Sequence, residues 1–366
     1  MSILLFSLLS FIVGADASAA QSPGVDLIFA GDAMQHQAQL DQALSEGGGH
    51  RYDYSQCFNL IASAITEADY AVCNLEVPLG GGPRYSGYPC FSAPDSYAEA
   101  LRDAGFDLFL TANNHCLDSG DRAARRTLTA LDSLGVDHIG TYRDAEQRDS
   151  LVPFVKDIRG IRFGFLNYTY GTNGIPPRDG MEVAMIDRDR MAREMQLTRE
   201  AGAEVLCVTV HWGIEYVLNE NASQRDLAGF LIDQGADLII GAHPHVVQPM
   251  KMVRDEKRDR DVLVVYSLGN LISNMKTTDT RGGAMVKVRV ERDADGRPIV
   301  AGAAYDIFYC AKPTGAGSNF KVIPSAMAEE HVPRAEWQKW LMFERSARRL
   351  FDTYNVDVPA MTVTDK

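Results

Sequence analysis

The chain has 366 residues, 46% of them hydrophobic and 23% charged, with 31 glycines and 15 prolines, a globular composition that excludes disorder, collagen and coiled coil. Its length suffices for a core without disulfide or metal staples and fits one large domain or two ordinary ones. The net charge of −13 opposes broad binding of nucleic-acid phosphates, so an anionic substrate needs a local positive source such as a metal ion or an arginine cluster.

In chain order, residues 3–13 form an apolar run followed by Ala17-Ser18-Ala19-Ala20, which reads as a secretory signal peptide over residues 1–20. The run is short for a membrane span, and the expectation is a periplasmic or secreted protein with no stable span after cleavage. The hydrophobic pattern then predicts a strand at 25–30 ending in Gly31-Asp32, a helix near 56–67, a strand at 70–74, a helix at 97–104 and a strand at 106–111. A helix at 122–134 follows, with Gly135 as its C-cap. A strand at 205–210 runs into His211, and Leu227, Phe230 and Leu231 mark a helix stopped by Gly235. A strand at 237–240 leads into Gly-Ala-His-Pro-His-Val. Longer strands at 262–267, 284–290 and 299–307 read as antiparallel and are expected to form the second sheet of a sandwich. An amphipathic helix at 334–354, with Trp337, Trp340, Leu341 and Phe351 on one face, closes the chain as a C-terminal extension over 331–366. Alternation of short strands and helices defines an α/β layer fold.

The six cysteines, Cys57, Cys73, Cys90, Cys116, Cys207 and Cys310, show no metal-ligand spacing. Cys73 and Cys207 fall in expected core strands and read as small buried apolar groups, while export would permit a bridge or two among the others.

One regularity outweighs any single element. Asp32, Glu76, Asn114, His115, His211, His243 and His245 all fall just beyond an apolar strand, the edge where open α/β sheets gather ligands. Taken singly, each is an ordinary loop polar. His243 and His245, two residues apart in an extended segment stiffened by Pro244, point the same way, which suits metal ligation. With His211, Asn114 and two carboxylates, the donor set favours Mn, Zn or Fe over Ca. One or two such divalent ions would lower the pKa of a shared water towards neutrality.

The motifs Phe-Ala-Gly-Asp-Ala-Met at 29–34, Cys-Asn-Leu-Glu-Val-Pro-Leu at 73–79, the Ala-Asn-Asn-His-Cys-Leu-Asp stretch at 112–118, Thr-Val-His-Trp-Gly-Ile-Glu-Tyr at 209–216, Gly-Ala-His-Pro-His-Val at 241–246 and Tyr-Ser-Leu-Gly-Asn at 266–270 stand in a family's order. The sequence resembles the CapA proteins of capsule biosynthesis, associated with poly-γ-glutamate, which share the calcineurin-like metallophosphatase fold. The resemblance implies a four-layer α-β-β-α sandwich within residues 21–330. It implies that Asp32 and His245 hold a first ion, that Asn114, His211 and His243 hold a second, and that Glu76 bridges them. His115 would assist the leaving group as general acid. The departure is Met34, where the related pattern carries a histidine: a thioether is a poor ligand for a hard ion. His36 offers a substitute or a purely structural residue.

Asp118, three residues after His115, reads either as the carboxylate that orients that imidazole or as a helix N-cap. Glu215 and Tyr216 are candidates to line a substrate cleft, with Trp212 as its wall or as core, and Arg84 and Arg281 are candidates to grip an anion. The expected function is that of an exported metal-dependent hydrolase acting on an anionic polymer or phosphoester, with polymer synthase subunits as possible partners and no nucleic acid. A metallophosphodiesterase or nucleotidase unrelated to capsule, and a non-catalytic polymer-binding assembly subunit, are the alternatives.

Overall fold

The structure is a computed structural model that describes residues 24–315 and 318–361. The signal peptide read at 1–20 lies outside them. β1 (Val25–Ala33) is followed by α1 (Gln37–Glu46) and α2 (Ala62–Thr66), β2 (Tyr70–Leu75) by α3 (Asp95–Asp103), and β3 (Leu108–Leu110) by α4 (Gly120–Leu134) and β4 (Asp137–Ile139). Next come β5 (Thr141–Tyr142), α5 (Ala145–Leu151), β6 (Phe154–Ile158), β7 (Ile161–Thr169), β8 (Glu182–Val183) and α6 (Arg188–Glu200). β9 (Val205–His211), α7 (Ala222–Asp233), β10 (Leu238–Ala242), β11 (Met250–Asp255), β12 (Arg260–Val265) and β13 (Asn270–Ile272) follow. The chain ends in β14 (Gly282–Arg292), β15 (Pro298–Ala311), β16 (Lys321–Pro324), α8 (Ala328–His331) and α9 (Trp337–Tyr354).

Two large sheets result, ordered β16-β15-β14-β1-β2-β3-β4, with β13 also on β1, and β11-β12-β10-β9-β7-β6, beside a small two-stranded sheet of β5 and β8. β1 to β4 pair in parallel, as do β7, β9, β10 and β12. Apolar residues on the facing sides of the two sheets, such as Leu27, Val72, Phe163, Cys207, Leu238 and Val286, form one buried cluster. Ile28, Phe58, Ile65, Tyr97 and Leu101 bury the outer face of the first sheet under α1 to α3, and Val208, Ile239, Met191 and Leu227 bury that of the second under α6 and α7. The four layers are therefore helices, sheet, sheet and helices. Gly135 caps α4 with φ +69°, a conformation glycine adopts without a Cβ clash.

The sandwich differs from expectation in one respect. The long strands β14 and β15 do not build the second sheet; β14 pairs antiparallel with β1, Val25 opposite Val290, and extends the first. The second sheet instead takes the hairpin β6–β7 and the strands β9 to β12. The C-terminal helix α9 is not packed apart: Trp340, Phe343, Ala347, Leu350 and Phe351 join the central cluster beside Tyr305 and Tyr309. All six cysteines are free, with Cys73 and Cys207 fully buried and Cys90 exposed.

Candidate metal centre

Parallel strands of both sheets end at one edge, and the polar residues there converge. Asp32 lies at the end of β1, where the backbone departs from regular pairing with β2 and β13, a kink that re-aims side chains. Gly31 permits this: a Cβ there would stand 1.9 Å from the Gly269 carbonyl oxygen. Glu76 follows β2, Asn114 and His115 follow β3, His211 ends β9, and His243 and His245 follow β10. His243 and His245 hold φ of +100° and +57°, left-handed values that cost non-glycine residues of order 1–3 kcal/mol and cluster at functional sites.

One ligand atom each of Glu76, His243 and His245, and one each of Asp32, Glu76 and His211, lie within 4.8 Å of one another. The His245 Nδ1 stands 3.2 Å from the Asp32 carboxylate and its Nε2 3.8 Å from Glu76 Oε1, while His211 Nε2 is 3.5 Å from the same Glu76 oxygen. The Asn114 side-chain oxygen is 2.8 Å from His211 Nε2. Ligand bonds of about 2.1 Å place tetrahedral donors ~3.4 Å apart, so these spacings fit a cation. Glu76 belongs to both groups, as a bridging carboxylate must. Glu76 stands with His243 and His245 in one group and with Asp32 and His211 in the other, while Asp32 and His245 also lie 3.2 Å apart.

The electrostatics suit the same reading. Both Glu76 oxygens and His243 Nδ1 are buried with no hydrogen-bond partner among the described residues, which a protein rarely tolerates unless something else meets them. Burial, aided by the Asp32 charge, pushes the Glu76 carboxyl well up. Burial holds His211 down at about 3 and His243 at about 2, assisted at each by neighbouring imidazoles, so both are neutral and free to ligate. Burial would also lower His245, but Glu76 and Asp32 outweigh it and raise it to about 9. Burial opposes ionisation of Asp32, yet His245, His211 and the Asn74 amide bring it down to about 2.

His115 sits on the rim. Its Nδ1 is 2.7 Å from the Asp118 carboxylate, which also accepts the Phe91 N–H at 2.9 Å. The residue at the N-terminal boundary of α4 is Ser119, so Asp118 orients the imidazole rather than capping the helix. Burial would depress His115, but the Asp118 hydrogen bond and the Glu76 charge raise its pKa. Tyr216 is exposed, with its ring 6.2 Å from that of His245, and the Glu215 carboxylate hydrogen-bonds its hydroxyl. Trp212 is core, donating to the Tyr266 carbonyl. Arg84 is exposed on the loop that carries Tyr88 towards Phe91, whose ring lies 4.7 Å from His115.

Arg281 is elsewhere. It is buried, ion-paired with Glu336 and 5.1 Å over the Tyr309 ring, and it ties the C-terminal segment to the first sheet instead of facing the donors. Met34 buries its thioether in the apolar cluster under α1 and α3. His36 stands at the head of α1, its backbone N–H donating to the Gln39 amide oxygen and its Nδ1 accepting the Asn274 N–H, outside both donor groups.

Several supporting residues were not foreseen. Asn74 donates to Asp32 at 2.8 Å and contacts His211 Nδ1 at 3.3 Å; Asn113 donates to Asn74; Asn270 meets His245 Nδ1 at 3.1 Å. Asn173 joins Asn114 to His115, and Tyr170 lies with its ring 4.6 Å from that of His243. A cleft of about 770 Å³ lined by Tyr52, Tyr54, Ser96 and Glu99 contains none of the donors.

Facing α/β sheets that deliver carboxylate, amide and imidazole groups to a shared edge define a four-layer α-β-β-α sandwich with a candidate metal centre. The model of the bacterial capsule synthesis protein family PGA_cap matches residues 26–275, more than half of the chain, and the chain belongs to that family. It is 25% identical over 248 residues to the capsule biosynthesis protein CapA of Bacillus anthracis, covering 65% of this chain and 58% of the relative. It is 25% identical over 244 residues to the PGA biosynthesis protein CapA of Bacillus subtilis, covering 66% and 62%. The chain thus spans about three fifths of the length of these relatives. Among solved structures it aligns with the NAD nucleotidase of Haemophilus influenzae at a TM-score of 0.49 and 10% identity, over 91% of this chain and 64% of that one.

Proposed function

We propose that the chain is an exported, metal-dependent hydrolase of capsule polymer biosynthesis, acting on poly-γ-glutamate or a related anionic polymer or phosphoester, in concert with polymer synthase subunits. The observation that carries the chemistry is the meeting of Asp32, Glu76, His211, His243 and His245, from four strand ends of two sheets, in two groups that share Glu76 and are spaced to hold a cation. A divalent ion such as Mn, Zn or Fe supplies Lewis-acid polarisation and activates water near neutral pH. Asn114 and His211 hold the donor shell on one side and Asp32 with His245 on the other, while Asn74 and Asn270 fix the carboxylate and imidazole orientations. His115, whose protonated form Asp118 favours, donates to the departing oxygen or nitrogen. Tyr170 and Tyr216 stand at the donor cluster with exposed rings, where they border bound substrate.

Elemental analysis of the purified protein, followed by assays on phosphoesters and on γ-glutamyl polymers with added Mn or Zn, tests this reading. Turnover of phosphoesters alone would favour the phosphodiesterase or nucleotidase alternative. The presence of Met34, a buried thioether, where the related pattern carries a histidine favours a second reading, a polymer-binding subunit without turnover; bound metal and polymer binding with no hydrolysis of either substrate class would establish it.

Two predictions follow the geometry. Metal binding requires deprotonated ligands. His245 at about 9 holds a proton at pH 7, whereas His211 and His243 do not. Binding at pH 7 should therefore release roughly one proton, from His245, with affinity rising as pH approaches 9. Calorimetry in buffers of different ionisation enthalpy reads the number directly; pH-independent binding without release would assign the ion to other ligands. Asp118→Asn should lower turnover about 10–100-fold, as loss of an orienting outer partner does, with metal content unchanged.

A further inference from the structure

Gln35 is fully buried, and neither its amide oxygen nor its amide nitrogen has a hydrogen-bond partner among the described residues. Buried amides are nearly always satisfied, and both ends orphaned together is a demand for something other than protein. Its neighbours are accounted for. Met34 packs in the apolar cluster while its backbone joins Ile272, Gln39 and Tyr97; His36 stands at the head of α1 with its ring on Gln39, Asn274 and Phe91. The candidate centre is close on both sides along the chain. Asp32, three residues before, is 3.2 Å from His245, and three extended residues span at most ~10 Å. His36, the next residue, feels the charges of His245 and His115. The orphaned groups of Glu76 and His243 belong to the same sheet edge.

A divalent cation satisfies an amide oxygen, a carboxylate and an imidazole together, and Gln carbonyls are ordinary ligands of hard ions. We propose that Gln35 supplies its amide oxygen to the cation at Asp32, Glu76 and His245, taking the ligand place for which the Met34 thioether is unsuited. The amide nitrogen is then left to donate to a water or a substrate oxygen at that ion. This inference rests on the metal reading given above.

The test uses the full chain, Gln35→Leu, and Mn²⁺ as the probe. Melting in EDTA should match or exceed wild type, because removing an orphaned buried amide relieves a cost. Calorimetric titration with Mn²⁺ should show affinity at one site reduced about tenfold or more, the size expected when a metal's supporting group is lost, while Gln35→Glu restores it. Wild-type Mn²⁺ affinity and stoichiometry in Gln35→Leu would overturn the assignment, as would a metal-free melting temperature well below wild type, which would mean that the amide has a protein partner. Should Gln35→Leu fail to fold with or without EDTA, Gln35→Asn decides: its oxygen is withdrawn by one methylene, so unchanged Mn²⁺ affinity overturns the proposal and reduced affinity upholds it. Absence of Mn²⁺ and Zn²⁺ binding by wild type would instead defeat the metal reading itself, a result separable from the failure of Gln35 alone.

Discussion

Glu76→Ala should strip the chain of its capacity to bind either ion, lowering Mn²⁺ affinity by more than the roughly 100-fold that loss of an outer partner produces. Glu76 is the one residue common to both donor groups, so no neighbouring side chain replaces it. The effect should appear as lost ligand stabilisation: at a Mn²⁺ concentration 100 times the dissociation constant, wild type gains about 2.7 kcal/mol and the variant nothing. The metal-free protein should be nearly indifferent, since the Glu76 carboxyl is buried without a hydrogen-bond partner among the described residues and gives up only packing. Thermal melting with and without Mn²⁺, read beside elemental analysis, separates the two. A variant that retains wild-type metal content would show that Glu76 is not shared.

The donors themselves were legible because each follows an apolar run directly, so the strand that positions it is also the signal that announces it. Asp32, Glu76, His211, His243 and His245 needed no knowledge of which strands are neighbours, only that parallel strands share a C-terminal edge. Their division between two ions comes from the family resemblance alone, because Glu76 stands among imidazoles contributed by the other sheet and inter-sheet placement leaves no trace in local periodicity. The supporting asparagines were harder still. Asn74 is the lone polar residue of the otherwise apolar β2, a mark that could have been read, since a buried amide in a strand needs a partner. Asn173 and Tyr170 follow β7, whose run of Phe163, Phe165, Leu166 and Tyr168 was a strand signal passed over.

Loop arginines carry no comparable mark. Arg84 and Arg281 look alike in sequence, yet one is exposed and the other is spent on Glu336, a partner 55 residues away. The strands β14 and β15 were correctly expected to be antiparallel, but the sheet they join is set by the open edge of β1, with Val25 to Phe29 opposite Val290 to Val286. Pairing between such distant segments is fixed by the closing of the fold, not by either segment alone. The same holds for α9, whose aromatic stripe announced burial without saying that its host would be the cluster between the sheets.

His115→Ala should reduce turnover by about 10²–10⁴, or about 3–5 kcal/mol of barrier, the range for loss of a positioned general acid. Metal content should not change, because Asn114, not His115, meets His211. The pH profile distinguishes this from a structural effect. Asp118 and Glu76 outweigh burial and hold the His115 pKa above its ordinary value, so activity falls as pH rises through the raised pKa. By the same sign, the contribution of protonated His115 to folding stability is complete below the unfolded pKa of 6.5 and is lost as pH climbs through the folded one. Removing the imidazole should therefore erase the alkaline limb of kcat, while Asp118→Asn should move that limb to lower pH, since the neutral amide no longer favours the imidazolium. An unchanged alkaline limb in His115→Ala would place the proton donor elsewhere, and Tyr170, 4.6 Å from His243 between ring centres, would be the next group to replace.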